Sequence, residues 1–216
     1  MATFIYIQKI DTGLAPCVYR GIWTLALCKP TIRRKAAAGD IVIAVTDKAD
    51  GHKLSSWARI NERITTKEFS DRFPKSRLDN IYDSNRAGHF VRRANVKHDM
   101  HSSQEHKRHD LGARGENAFV LVSKDFYAFG KDAVALQRWI KNLPDLEAEI
   151  EVPGRAFRKH FNENVSEDLQ RLEMRLKKEF SHYRKKGFKP RDHIISNSRC
   201  ESKTEEKKVS CYQDRA

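Results

Sequence analysis

Residues 28–40 (CKPTIRRKAAAGD) bring together several side chains that could do chemistry. Cys28 could act as a nucleophile, and the cation of Lys29 beside it would favour the reactive thiolate form. A cysteine nucleophile also needs a general acid or base, which the sequence alone does not place. The alternative is a buried structural cysteine at the end of a strand, which is the commoner fate of this residue type.

Two carboxylates are candidates for acid–base chemistry with this cysteine. Asp40 ends the same stretch, and Asp125 lies in the later segment SKDFYAFG at residues 123–130. Carboxylates serve as general acids or bases when they lie within hydrogen-bond reach of the reacting group. If the protein is an enzyme, we therefore predict Cys28, Asp40 and Asp125 as its catalytic residues.

Cations surround Cys28 in the sequence. Lys29 and Arg33 are one turn apart on a short helix, so they could hold one phosphate or base edge together. A solvated basic face is the alternative. The complete set of predicted nucleic-acid-binding residues combines cations, aromatic rings and an amide: Trp23, Lys29, Arg33, Arg34, Lys35, Trp57, Asn80, Tyr82, Arg92, Arg93 and Tyr127.

The aromatic and amide members of this set have alternative roles. Trp23 and Trp57 offer faces on which an unstacked base could stack, although tryptophans in strands more often pack in a core. Asn80 could read a base edge through its paired donor and acceptor. It could equally close a turn with Asp79.

A histidine-rich window lies between residues 98 and 110. It contains His98, His101, His106 and His109, together with Asp99 and Asp110. Histidines three residues apart could share a metal ion on a helix. Few apolar residues are present to hold such a helix in place, so we predict a polar loop here, with no metal and no cofactor.

The charge balance favours an anionic partner. The chain has 216 residues, of which 42 are basic and 29 acidic, for a net charge of +13. A field of this sign attracts polyanions, and nucleic acids are the commonest ones inside cells. A basic surface that only aids solubility is the alternative.

Targeting signals and close cysteine pairs are not evident in the sequence. The four cysteines lack the two-residue spacing of zinc knuckles and redox dithiols. Residues 1–10 lack the basic and apolar regions of a secretory signal, and the longest apolar runs are too short to cross a bilayer. We therefore expect reduced cysteines, no membrane partner and a cytoplasmic location.

The hydrophobic pattern predicts five strands, near residues 4–10, 23–28, 41–46, 54–64 and 119–129. A short helix is expected to begin after Pro30 and to end at Gly39. Residues 74–117 are expected to be dominated by loops. Strands without regular helix alternation predict an α+β fold, with a small mixed or antiparallel curled sheet or barrel and flanking helices.

The C-terminal part predicts an amphipathic helix over residues 165–186. Its apolar stripe consists of Leu169, Leu172, Leu176, Phe180 and Tyr183. We therefore divide the chain into a domain at residues 1–143, a helical extension at residues 144–190 and a disordered tail at residues 191–216.

Three separated blocks carry a resemblance to a known family. They are residues 15–40, with TLALCKPTIR ending in Gly39-Asp40, then DNIY at residues 79–82 and SKDFYAFG at residues 123–130. Their order over residues 4–143 resembles the second family of nucleotide modification associated domains. The chain departs from the family pattern at Cys17-Val18, where Asn-Pro is usual, and at Ala44, where glycine is common.

The resemblance implies an association with systems that modify bases in DNA, often in phages and bacteria. DNA is accordingly the expected partner rather than RNA. The short helix that ends in Gly39-Asp40 before a central strand is also similar to PUA-like folds that read modified or flipped bases, which is a fold-level analogy.

Three functional hypotheses follow from the sequence. A module that binds DNA or a modified base is slightly favoured over an enzyme that modifies a base or nucleotide. A homodimeric interaction protein that uses the C-terminal helix is the third. An acid or base within hydrogen-bond reach of Cys28 would favour the enzyme.

Overall fold

The computed structural model describes residues 1–184 except residues 10, 97, 152–156, 161 and 162. Its strands are β1 (Thr3–Ile7), β2 (Cys17–Tyr19), β3 (Ile22–Leu25), β4 (Ile41–Val45), β5 (Leu54–Arg59), β6 (Glu62–Thr65), β7 (Tyr82–Ser84), β8 (Phe90–Arg92), β9 (Phe119–Ser123), β10 (Asp125–Ala128) and β11 (Phe157–His160). Its α-helices are α1 (Pro30–Lys35), α2 (Thr66–Arg72), α3 (Gln104–Leu111), α4 (Leu136–Trp139), α5 (Pro144–Glu151) and α6 (Glu163–Glu179).

The first sheet has five strands in the order β10-β5-β4-β1-β11. β1 and β4 are parallel, and the other neighbours are antiparallel. Every residue of β4 (IVIAV) is buried, because both faces of this central strand are covered. The predicted buried strand at residues 41–46 is thereby confirmed.

A second sheet has four strands in the order β2-β3-β9-β6, all antiparallel, and β7 and β8 form a separate hairpin. The α+β class with small mixed and antiparallel sheets is therefore confirmed. The described residues form no closed barrel, and the PUA-like similarity is not confirmed.

The alternation of side chains along the strands divides the interior into layers. From β1 and β4, Phe4 and Val42 face the second sheet, where they pack with Trp23 and Leu121. Ile43, on the opposite face of the first sheet, packs instead against the C-terminal helices. The far face of the second sheet is covered by α2 and α3. The period-two pattern thus places each of these two sheets between two apolar layers.

The C-terminal helix is confirmed over Glu163–Glu179, and Ser181–Arg184 of the predicted span form a 3-10 helix instead. Leu169, Leu172 and Leu176 of its apolar stripe are buried against the first sheet of the same chain. The buried carboxylate of Asp168 accepts hydrogen bonds from the backbone N–H groups at the start of α5. The stripe is therefore used for packing within the chain. The tail predicted at residues 191–216 lies outside the described residues, as do Cys200 and Cys211.

The segment expected to be loop-dominated contains the β7–β8 hairpin and α3 between irregular stretches. The α3 helix begins after Ser103, whose hydroxyl accepts a hydrogen bond from the backbone N–H of His106. It packs beside α1, the helix that follows Cys28. Within the described part of the chain, no helix is long and apolar enough to cross a membrane.

Candidate active site

Cys28 lies in a strained turn between β3 and α1. Cys28 and Lys29 adopt successive left-handed conformations, with φ of 54° and 46°. Side chains other than glycine and asparagine seldom adopt this region, and such strain concentrates at functional sites. Pro30 then begins α1 as predicted, since its missing N–H costs nothing in the first turn. The turn leaves the Cys28 thiol partly exposed.

A histidine lies beside this thiol. His101 Nε2 is 3.5 Å from Cys28 Sγ, within the range of a hydrogen bond to sulfur. His101 precedes α3 and also has a left-handed backbone, with φ of 58°. Cys28 and His101, which are in contact although 73 residues apart in the sequence, thus both adopt an uncommon backbone conformation.

Asp110, in the last turn of α3, completes a chain of three side chains. Its Oδ2 is 2.6 Å from His101 Nδ1, and its Oδ1 accepts a hydrogen bond of 2.7 Å from the backbone N–H of Cys28. An ionised carboxylate only accepts hydrogen bonds, so His101 Nδ1 must carry the proton. His101 Nε2 is then the basic nitrogen, and it faces the thiol. The order carboxylate, imidazole, thiol is that of a nucleophilic triad.

The surroundings of Asp110 keep it ionised. The carboxyl is fully buried, which by itself opposes ionisation. The charge and hydrogen bond of His101, with smaller contributions from His109 and Arg33, outweigh burial and hold the pKa of Asp110 well below its usual range. Tyr82 OH also donates to Asp110 Oδ2 at 3.3 Å, and burial followed by the charge of Asp110 raises the pKa of Tyr82. Tyr82 therefore stays protonated as a donor.

Arg33 links Cys28 to Asp110 through hydrogen bonds to the backbone carbonyls of both residues. Its side chain is 0% exposed. Nε donates to the carbonyl of Cys28 at 2.7 Å, and Nη2 donates to the carbonyl of Asp110 at 2.5 Å. Nη1 donates to the carbonyls of Asn117 and Phe119 at the start of β9. Burial lowers the pKa of Arg33, and the charge of Asp110 opposes this shift.

The same three side chains could be considered as metal ligands. One ligand atom from each of Cys28, His101 and Asp110 lies within 4.8 Å of the other two. However, Asp110 directs one oxygen to His101 Nδ1 and the other to the Cys28 amide. Only the sulfur and His101 Nε2 are then left to coordinate, whereas a catalytic zinc site uses three protein ligands. The hydrogen-bond pattern therefore favours a nucleophilic triad.

The remaining predicted residues around Cys28 are divided between core and surface. Trp23 and Trp57 are fully buried in the two apolar layers, so neither presents a face to a base. Lys29 is partly exposed, with Nζ 5.5 Å from the centroid of the Tyr6 ring. Arg34 and Lys35 are exposed on α1.

The predicted residues of the later segments lie mostly in internal contacts. The Asn80 amide donates to the carbonyls of Phe73 and Pro74, which is neither a base contact nor the predicted turn with Asp79. Tyr127 packs edge-on against Trp57 in the first sheet. Arg92 donates to the carbonyl of His98, and Arg93 donates to that of Lys75. Among the described contacts of this later group, it is Tyr82 that reaches the triad, at Asp110.

Asp40 and Asp125, the two predicted catalytic carboxylates, have other contacts. Asp40 Oδ1 and Oδ2 accept hydrogen bonds from the backbone N–H groups of Ala2 and Ala37, at 2.6 and 2.9 Å. Asp125 lies 3.7 Å from Arg59 at the edge of the first sheet. Neither has a hydrogen bond to Cys28 among the described contacts.

Asp40→Ala should lower the free energy of unfolding by about 1–3 kcal/mol, because it leaves the buried N–H of Ala2 and the partly buried N–H of Ala37 without acceptors. The rate at which iodoacetamide alkylates Cys28 should not change. Denaturant unfolding and peptide mass spectrometry measure the two quantities. Asp125→Ala, which removes a partly exposed ion pair, is the matched control, with an expected loss of about 0.5 kcal/mol or less. Loss of Cys28 reactivity in folded Asp40→Ala protein would return Asp40 to the catalytic set.

The sequence predicted Cys28 as a candidate nucleophile but did not predict the two side chains that contact it. His101 and Asp110 were assigned to a polar loop, and they reach Cys28 across 73 and 82 residues of chain. No local signal marked them, because Leu111 is the single apolar residue of α3 (QEHKRHDL).

No curated protein and no solved structure is significantly similar to the chain. The family described as Nucleotide modification associated domain 2 matches residues 1–195, and this match includes all three members of the triad. The resemblance seen in the three sequence blocks is thereby confirmed, and the chain belongs to this nucleotide modification associated family.

Proposed function

We propose that this protein is a cysteine-dependent enzyme that modifies a nucleotide or a base within nucleic acid. Cys28 is the nucleophile, His101 is the general base and acid, and Asp110 orients the imidazole. The observation that carries the proposal is the unbroken contact chain from Asp110 through His101 to Cys28 Sγ. It meets the condition that an acid or base lies within reach of the cysteine.

The contacts define the proton path. His101 Nε2 takes the proton of the Cys28 thiol as the sulfur bonds to an electrophilic carbon of the substrate. The imidazolium that forms is stabilised by the Asp110 carboxylate at Nδ1. His101 Nε2 then returns the proton to the leaving group or to the atom that received the electron pair. The buried position of Asp110 strengthens this stabilisation, since water does not screen it.

Family membership and surface charge support the substrate class. Besides Arg34 and Lys35 on α1, the neighbouring helix α3 carries Lys107 and Arg108 at its surface. No described acidic side chain forms an ion pair with any of these four cations. Both helices hold or adjoin members of the triad, and the cations on their exposed faces are the candidates for positioning phosphate groups of the substrate.

Covalent trapping tests this function. The protein is incubated with nucleotides and with single- and double-stranded DNA, then quenched in acid and analysed by peptide mass spectrometry. We expect a mass increase on the peptide containing Cys28, which is absent in Cys28→Ser and strongly reduced in His101→Gln. Cys17, which is buried, serves as the internal control.

The outcomes separate the enzyme from a binding module. Salt-sensitive DNA binding that is equal in wild type and Cys28→Ser, with no adduct on any substrate, would contradict the proposal. It would favour the binding hypothesis, for which the exposed cations of α1 are the supporting observation.

A further inference from the structure

The backbone N–H of Cys28 already donates a hydrogen bond within the protein. It donates to Asp110 Oδ1 at 2.7 Å, and this carboxylate is fully buried. Withdrawing the N–H would remove one of the hydrogen bonds that stabilise a buried charge, which is costly in a protein interior. Cys28 N–H is therefore a fixed part of the triad and is not available to a substrate.

The hydrogen bond from Cys28 N–H to Asp110 bears on which type of reaction the site can catalyse. In acyl transfer, negative charge develops on the oxygen bonded directly to the attacked carbon. The nucleophile's own backbone N–H commonly helps to stabilise that oxygen. In conjugate addition, the charge moves through a ring to a heteroatom three bonds from the attacked carbon. That heteroatom is too far from the attacked carbon to accept a hydrogen bond from Cys28 N–H. The hydrogen bond between Cys28 N–H and Asp110 therefore does not weaken stabilisation of the charge in conjugate addition.

We infer that Cys28 carries out conjugate addition to C6 of a pyrimidine ring, rather than acyl transfer. This inference rests on the proposed function and specifies its substrate. Among the nucleobases, pyrimidines offer a C5–C6 double bond conjugated to an electron-withdrawing group, which a soft thiolate attacks. Sulfur bonds to C6, the C5–C6 π bond breaks, and its electrons are shared between C5 and the heteroatom on C4.

Lys29 is placed to stabilise the displaced charge. It follows the nucleophile directly, is partly exposed, and holds its Nζ 5.5 Å from the centroid of the Tyr6 ring. Burial, and then the nearby charge of Cys28, raises the pKa of Tyr6, so its phenol stays neutral beside the thiol. The Lys29 ammonium group, on the residue next to Cys28, can approach the heteroatom on C4.

Hydrogen exchange at C5 tests the inference without any co-substrate. In D₂O, addition of Cys28 lets a deuteron bond to C5. Loss of the original hydrogen as a proton, with expulsion of the thiolate, then restores the double bond. We expect wild-type protein to exchange the C5 hydrogen of cytosine or uracil in nucleotides or DNA, as measured by NMR and mass spectrometry.

The variants have distinct expected results. Cys28→Ser should show no exchange, and His101→Gln should exchange at least about tenfold more slowly. Lys29→Met should slow exchange more than it slows alkylation of Cys28 by iodoacetamide. Lys178→Met removes an exposed lysine from the last turn of α6 and should match wild type.

Either of two results would overturn the inference and leave the proposed function standing, and a third result would contradict both. If Cys28 alkylation depends on His101 but no pyrimidine exchanges its C5 hydrogen, only the addition to C6 is wrong. If His101 also accelerates hydrolysis of p-nitrophenyl acetate at Cys28, the site performs acyl transfer. If Cys28 alkylation is independent of His101 and no exchange occurs, both proposals fail together.

Discussion

Arg33→Met should lower the free energy of unfolding by about 3 kcal/mol or more. The substitution keeps the aliphatic stem but removes the donors for four backbone carbonyls, two of which belong to Cys28 and Asp110. Each buried polar group left without a partner costs about 1–3 kcal/mol. Denaturant unfolding followed by circular dichroism measures the loss.

Arg34→Met is the matched control, because it makes the same change one residue later on the exposed side of α1. It should change stability by about 0.5 kcal/mol or less. Equal losses from the two variants would contradict the structural role of Arg33. They would also restore the prediction that Arg33 contacts phosphate.

His101→Gln should slow the alkylation of Cys28 by iodoacetamide at pH 7 by at least about tenfold. Glutamine can still form hydrogen bonds, but it cannot take the proton of the thiol. The rate is followed by mass spectrometry of the peptide that contains Cys28, and circular dichroism confirms that the variant is folded.

His89→Gln, at the exposed turn of the β7–β8 hairpin, controls for the loss of a histidine as such and should react like wild type. A rate in His101→Gln equal to that of wild type would show that the short distance between His101 and Cys28 has no consequence for the thiol.

Local sequence signals located the buried strand at residues 41–46, whose apolar run is typical of one, and the start of α1 at Pro30. They did not separate the runs at residues 54–64 and 119–129, each of which forms two strands that belong to different sheets. The buried strand and the start of α1 depend on neighbouring residues. They therefore appear in the sequence as runs, periodicity and helix-start residues.

The partners of Cys28 depend on distant contacts that no local pattern records. The histidine window read as a polar loop, because the groups that contact His101 and Asp110 belong to Cys28 and Arg33, far away in the sequence. Arg33 read as a surface cation, since three of its four carbonyl acceptors lie at residues 110–119. Burial of charge is decided by the tertiary structure, and this is where the sequence-based assignment of site residues was incomplete.

The pH dependence of Cys28 alkylation tests the central claim most directly. An ordinary thiol titrates near pH 8.5, so its alkylation rate falls about tenfold for each pH unit below that value. A thiol paired with His101 should instead keep most of its rate between about pH 6 and pH 8, and this plateau should disappear in His101→Gln. A wild-type rate that rises tenfold per unit up to pH 8.5, with the same profile in His101→Gln, would contradict the assignment of Cys28, His101 and Asp110 as a nucleophilic triad.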